Sequence, residues 1–234
     1  MKMFASIVLL CGLVISAQAV DPMFFSSDQP FDPGNLSREL DYCQIADAGW
    51  NAINASTGFL AEIADDVPDT FECNTVTSWD FYVVEWGSQW QDPTGVILKF
   101  YNSACPPDLG PDQEATYVWM GEYMTGEMVY DAEFTAWHIH IEPNDQTHVE
   151  NPMSVGISIE NDWGEAAPYV GIAVTTLDDV SGACEAQFDG ENWGFPRWTT
   201  ISDALGYSVD MSYCITMETT PTEESSWSTV KELY

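Results

Sequence analysis

The chain has 234 residues, 38 of them acidic and 5 basic, for a formal net charge of -33. That balance excludes nucleic-acid binding, which needs clustered Lys and Arg on phosphates, and disfavours an anionic membrane surface. A hydrophobic content of 45% with 13% aromatics is too high for a disordered polyanion, so the charge belongs on the surface of a folded core.

Residues 1–19 read as a secretory leader: Lys2, then the apolar run "MFASIVLLCGLVISA", then the small-residue end "AQA" before Val20. The run is too short for a convincing membrane span, and no later stretch reaches the roughly 18 apolar residues a spanning helix needs. The expected organisation is the leader, an N-terminal segment over 20–59 packed on a sandwich, the sandwich itself over 60–217, and a linker and tail over 218–234. Beyond Cys11 of the leader stand Cys43, Cys73, Cys105, Cys184 and Cys214, which suit disulfides in an oxidising compartment, their odd number leaving at least one free, paired between chains or otherwise modified. No CxxC pair supports a zinc ribbon or a thioredoxin-like site.

Strands are expected at 75–86, 96–101, 116–124, 128–134, 137–141, 153–159, 169–175 and 207–217, separated by Gly, Pro, Asn and Asp. In "MSVGISIE" one face carries Met153, Val155, Ile157 and Ile159, and in "YSVDMSYCITM" one carries Tyr207, Val209, Met211, Tyr213, Ile215 and Met217. Such period-two rows are half-buried strands. Eight or nine of them predict an all-β, antiparallel, jelly-roll-like sandwich.

The first two strands predict a hairpin through "GSQWQDPTG". Even pairing sums then put Tyr82, Val84, Trp86, Val96, Leu98 and Phe100 on the core face. Cys73 and Cys105 fall opposite each other at its open end, the expected disulfide. The second face carries Trp79, Phe81, Val83, Glu85, Ile97, Lys99 and Tyr101, of which Trp79, Phe81 and Tyr101 are the candidates for stacking on sugar rings.

"AWHIHIE" places Trp137, Ile139 and Ile141 in an apolar row and His138, His140 and Glu142 in the opposite one. The histidines therefore point away from the core. Exposed imidazoles on a solvated face and a Zn²⁺ or Cu²⁺ site built with Glu142 or His148 are both open. Asp65, Asp66 and Asp69, or Asp178 and Asp179, offer oxygens for Ca²⁺, although no loop has a calcium motif. Phosphate loops, GxGxxG, HExxH and GxSxG are all missing.

"IADDV" (63–67), "VVEWG" (83–87), "VILKFY" (96–101), "MSVGISI" (153–159) and "WTTISDALGYSVDMSYCIT" (198–216) together resemble a family of secreted bacterial β-sandwich surface or exoprotein modules. In these an "ADDF" stretch leads to a strand ending in an aromatic and Gly, followed by an "FY" strand. The resemblance implies a non-catalytic surface module and transfers no functional residues. "WSTVKELY" after the polar "TTPTEESS" is similar to short C-terminal sorting or anchoring tails. The expected function is a secreted or cell-surface binding or adhesion module for a glycan or a surface protein. A structural assembly protein and a carbohydrate-active enzyme with paired carboxylates are the alternatives, separated by whether the fold presents a ligand face, an open apolar edge or a buried carboxyl pair.

Overall fold

A computed structural model describes residues 21, 23–31, 42–44, 49–67, 74–87, 93–103, 106–107, 110–142, 154–161, 169–175 and 185–219. It is an antiparallel β-sandwich of two sheets with no closed barrel. Sheet A contains β1 (Phe24–Pro30), β2 (Tyr42–Gln44), β3 (Gly49–Asn54), β5 (Asn74–Trp86), β8 (Met124–Asp131), β9 (Thr135–Ile141), β11 (Tyr169–Thr175), β14 (Asp210–Met211) and β15 (Tyr213–Thr219). Sheet B runs β13 (Phe195–Thr200), β12 (Gln187–Gly190), β4 (Ala61–Asp66), β10 (Ser154–Glu160), β6 (Gly95–Tyr101), β7 (Gln113–Val118). Among the described residues the one α-helix is the five-residue α1 (Ile201–Leu205), with the Thr200 side chain accepting from the Asp203 amide and Gly206 closing it at φ 86°.

The thirteen-residue β5 organises sheet A. One edge pairs with β9 from Trp79↔Ile141 to Glu85↔Thr135. The other is shared end to end, by β15 up to Tyr213↔Phe81 and by β11 over residues 83–86. Its odd side chains Trp79, Phe81 and Val83 are fully buried between the sheets, against Ile63, Leu98, Ile157 and Ile172. Its even side chains Tyr82, Val84 and Trp86 are buried as well, in a second apolar cluster with Trp50, Phe134, Phe25 and Phe31 on the other side of the sheet. Both faces of β5 are therefore covered.

This corrects the expected hairpin. β5 and β6 belong to opposite sheets, and Val96, Leu98 and Phe100 meet Trp79, Phe81 and Val83 across the core rather than sharing a face with Tyr82, Val84 and Trp86. The two edges of β6 are taken by β10 and β7, which leaves no place for β5 beside it. Cys73 and Cys105, which that hairpin would align, lie outside the described residues. The stretch expected as one strand over 116–124 is the end of β7, a turn with Met120 at φ 52°, and the start of β8. Strands β9, β10 and β11 lie where the alternation puts them, with Ile139, Ile141, Val155, Ile157 and Ile159 all inside. β1 and β3 pair within sheet A, so the N-terminal segment supplies strands to the sandwich as well as packing on it.

A disulfide joins Cys43 on β2 to Cys214 on β15, residues 171 apart in sequence and directly opposite in register. Closing a loop of that length restricts the unfolded chain, worth about 5 kcal/mol on the chain-entropy model and about 2–5 kcal/mol in practice. Replacing both cysteines by Ala should lower unfolding free energy in urea by about 2–5 kcal/mol. A loss well below about 1 kcal/mol would show that β2 is held by other contacts.

Candidate functional site

Two polar clusters interrupt an otherwise apolar architecture, one on the outer face of each sheet. On sheet A, register sets Asp80 of β5 beside His140 of β9 and Tyr82 beside His138. His138 Nε2 and His140 Nδ1 each lie 3.0 Å from Asp80 Oδ1, and His140 Nδ1 is also 3.0 Å from Oδ2. An ionised carboxylate only accepts, so both ring nitrogens donate to it. His140 Nε2 is 3.3 Å from Glu142 Oε1, which places this imidazole between two carboxylates. The His138 ring also packs on Tyr82, centroids 5.2 Å apart.

The expected direction of the histidines, away from the inter-sheet core, is the one observed. Their expected solvation is not: His140 is buried, and its side chain and that of Asp80 are only 9% and 2% exposed. Nε2 of His138 and Nδ1 of His140 converge on Asp80 Oδ1, and as hydrogen-bond donors to that carboxylate they carry protons where a metal would need lone pairs. Among the described residues no group of three His, Cys, Asp or Glu is placed to hold a metal ion. Glu142 is 72% exposed at its side chain, and His148 lies outside the described residues.

Of the expected calcium ligands, Asp65 and Asp66 are described and buried; Asp69, Asp178 and Asp179 are outside the described residues. Asp65 accepts from the amides of Asp66 (2.9 Å) and Met211 (2.7 Å), committing its oxygens to backbone. Burial, then repulsion from Asp210, pushes its carboxyl well above the usual range. Asp210 is pushed up to about 6 by burial and by Asp66.

The second cluster lies on sheet B. Glu62 of β4, Asp189 of β12 and Lys99 of β6 come to its outer face because their chain neighbours Ile63, Phe188 and Leu98 are taken by the core. Glu62 accepts from Tyr101 Oη at 2.6 Å on Oε1, and from Lys99 Nζ at 2.6 Å and Arg197 Nη2 at 3.3 Å on Oε2. Arg197 Nη2 also donates to Tyr101 Oη at 3.0 Å, and its Nε lies 3.4 Å from Asp189 Oδ2. The guanidinium sits 4.6 Å over the Trp198 ring, which meets Tyr101 edge-on. Gly156 makes this possible, since a Cβ there would fall 2.1 Å from Glu62 Oε1 and 3.0 Å from the Tyr101 ring.

Lys99 and Arg197 are the only Lys or Arg side chains among the described residues, and both reach the same carboxylate. Burial, then the Glu62 charge, pushes the Tyr101 phenol up, so it stays a donor. Burial also raises Asp189 despite the adjacent Arg197. Glu62 is 5% exposed at its side chain, while Lys99 (18%), Asp189 (18%) and Arg197 (29%) reach solvent.

The three expected stacking residues part company in the fold. Trp79 and Phe81 are fully buried core, because both faces of β5 are covered; neither can meet a ligand from solvent. Tyr101 lies on the outer face of sheet B beneath Trp198, together with Lys99 of the same predicted row, but it is as fully buried as Trp79 and Phe81 and cannot itself stack on a ligand. Sequence reasoning missed Glu62, Asp189, Arg197 and Trp198, whose only signal was the scarcity of basic residues. No protein-family model, curated protein or solved structure matches the chain.

Asp80 and Asp210 predict opposite pH responses. Burial raises Asp80, but the hydrogen bonds from His138 and His140 outweigh it and hold its carboxyl low. Its stabilisation is therefore present above the unfolded carboxyl range and lost as pH falls through its own lowered value. Asp210, raised to about 6, contributes stability below the unfolded value that is lost as pH rises through about 6. In urea melts, Asp80→Asn should lose about 1.5–3 kcal/mol near neutral pH. Asp210→Asn should gain about 1 kcal/mol near pH 8, a figure reduced for solvent screening of this partly exposed group, and almost nothing near pH 4. Equal effects of Asp210→Asn at both pH values would contradict the assignment.

Proposed function

We propose that the protein is an extracellular, non-catalytic binding module that takes a saccharide on the outer face of sheet B. The observation that carries this reading is the convergence of Trp198, Arg197, Lys99, Asp189, Tyr101 and Glu62 on one partly exposed sheet face. An aromatic ring offers a platform for the C–H face of a sugar, and fixed donors and acceptors beside it read hydroxyl groups. Preorganisation supports the same reading: Asp189 and Glu62 hold the guanidinium, and the guanidinium holds the indole.

The Glu62 and Asp189 carboxylates are neighbours on adjacent strands, as a glycosidase pair would be, but both oxygens of Glu62 are already hydrogen-bonded. That favours binding over nucleophilic attack. The disulfide favours an oxidising compartment, in keeping with the leader expected over residues 1–19. Among the described residues no helix is long and apolar enough to cross a membrane. A role in surface assembly is the second reading, favoured by Val118, Met120, Tyr123 and Met128, which are exposed beside the outermost described strands β7 and β8.

A glycan array probed with the purified protein tests the first reading. At least one glycan should bind, and Trp198→Ala should weaken it by about tenfold or more while leaving the melting temperature within a few degrees. Binding that survives Trp198→Ala unchanged would move the site elsewhere.

A further inference from the structure

Resting on that saccharide-binding reading, we infer that the ligand of the sheet B face is a neutral, hydroxyl-rich glycan rather than a uronate or sulfated polymer. The charge arrangement on the face carries this. Lys99 and Arg197 are already engaged by Glu62, and Arg197 also by Asp189. Around them stand Glu114, cross-strand from Lys99 on β7, and Glu191, close enough to act on Asp189. Carboxylates therefore outnumber cations on the very patch where an anionic ligand would need attraction.

The attraction that either cation would offer an anionic ligand is a short-range Coulomb gain, and the resident carboxylates at the same distances cancel it. An anion could reach the solvent-facing N–H groups of Arg197 and Lys99 only against the repulsion of Glu62 and Asp189, the first of which already holds Lys99 and Tyr101 at 2.6 Å. A hydroxyl meets no such repulsion because it donates and accepts at once. Vicinal hydroxyls can accept from the solvent-facing N–H groups of Arg197 and Lys99 and donate to the remaining lone pairs of Asp189, with the ring laid on Trp198. A cationic ligand or metal fits poorly, because Lys99 and Arg197 occupy the centre of the acidic ring.

The direct test is affinity electrophoresis of the purified protein through gels containing soluble neutral polymers (mixed-linkage glucan, xylan, galactomannan) or acidic ones (alginate, pectate, chondroitin sulfate). At least one neutral polymer should retard it. Retardation should be lost in Trp198→Ala and reduced at least about tenfold in Arg197→Lys, which keeps the charge but removes the fork. It should be unchanged between about 50 and about 500 mM NaCl, since no ligand charge is there to screen. Retardation by an acidic polymer alone, falling with salt and lost in Trp198→Ala, would overturn the neutral class while keeping saccharide binding at this face. No retardation by either set would overturn both readings. Because wild-type protein distinguishes these outcomes, a variant that fails to fold does not obscure them.

Discussion

Everything in this sandwich hangs on β5 being buried on both sides. A strand covered on one face alternates apolar and polar residues, whereas one covered on both reads as a nearly continuous apolar run. "WDFYVVEW" is such a run, and its side chains divide between the inter-sheet core and the cluster around Trp50 and Phe134. Burying each large side chain contributes about 1.5–3 kcal/mol, so the strand anchors both apolar assemblies. Register is fixed by the same arrangement: a slip of one residue would carry Asp80 into the core and Trp79 out of it. Asp80 is tolerable within the strand because β9 brings two imidazoles against it from the same face.

The reach of periodicity decides how much of this is legible in the sequence. β9 and β10 each have one clearly apolar row, and the structure buries those rows. Both rows of β5 are apolar, so alternation does not say which side meets the second sheet, and placing Tyr82, Val84 and Trp86 in the main core selects the wrong row of a correctly recognised strand. Proximity in sequence then suggests a hairpin with β6, but the chain crosses to the other sheet between them. The Cys43–Cys214 bridge and the contact between Glu62 and Arg197 span 171 and 135 residues respectively, distances over which local pattern carries no information. One trace does exist: Cys214 stands in the polar row of "YSVDMSYCITM", on the face where Asp80 and the disulfide lie side by side.

Among the described residues, three sets of buried carboxylates are accommodated in three physical ways. Asp80 is neutralised by histidine donors, Glu62 by the two described cations and a tyrosine, and Asp65 with Asp210 by resisting ionisation. The first two solutions fix strands to one another; the first opens to solvent at His138 and Glu142, while the second sets both described cations beside an aromatic ring at a partly open surface. That difference is why the sheet B cluster serves as the candidate ligand face and the histidine cluster as a clasp within sheet A. Gly156 is the enabling residue, since any side chain there would occupy the space of Glu62 and Tyr101.

Hydroxyl-radical footprinting read by mass spectrometry, tryptophan by tryptophan, is the sharpest check on the covering of β5. Burial on both sides predicts that Trp79 and Trp50, fully buried, and Trp86, 3% exposed, resist oxidation in the native protein while the partly exposed Trp198 is modified faster than any of them. Oxidation of Trp79 at a rate comparable to Trp198 would mean that β5 presents an open face to solvent, which is incompatible with a sheet A packed on both of its sides.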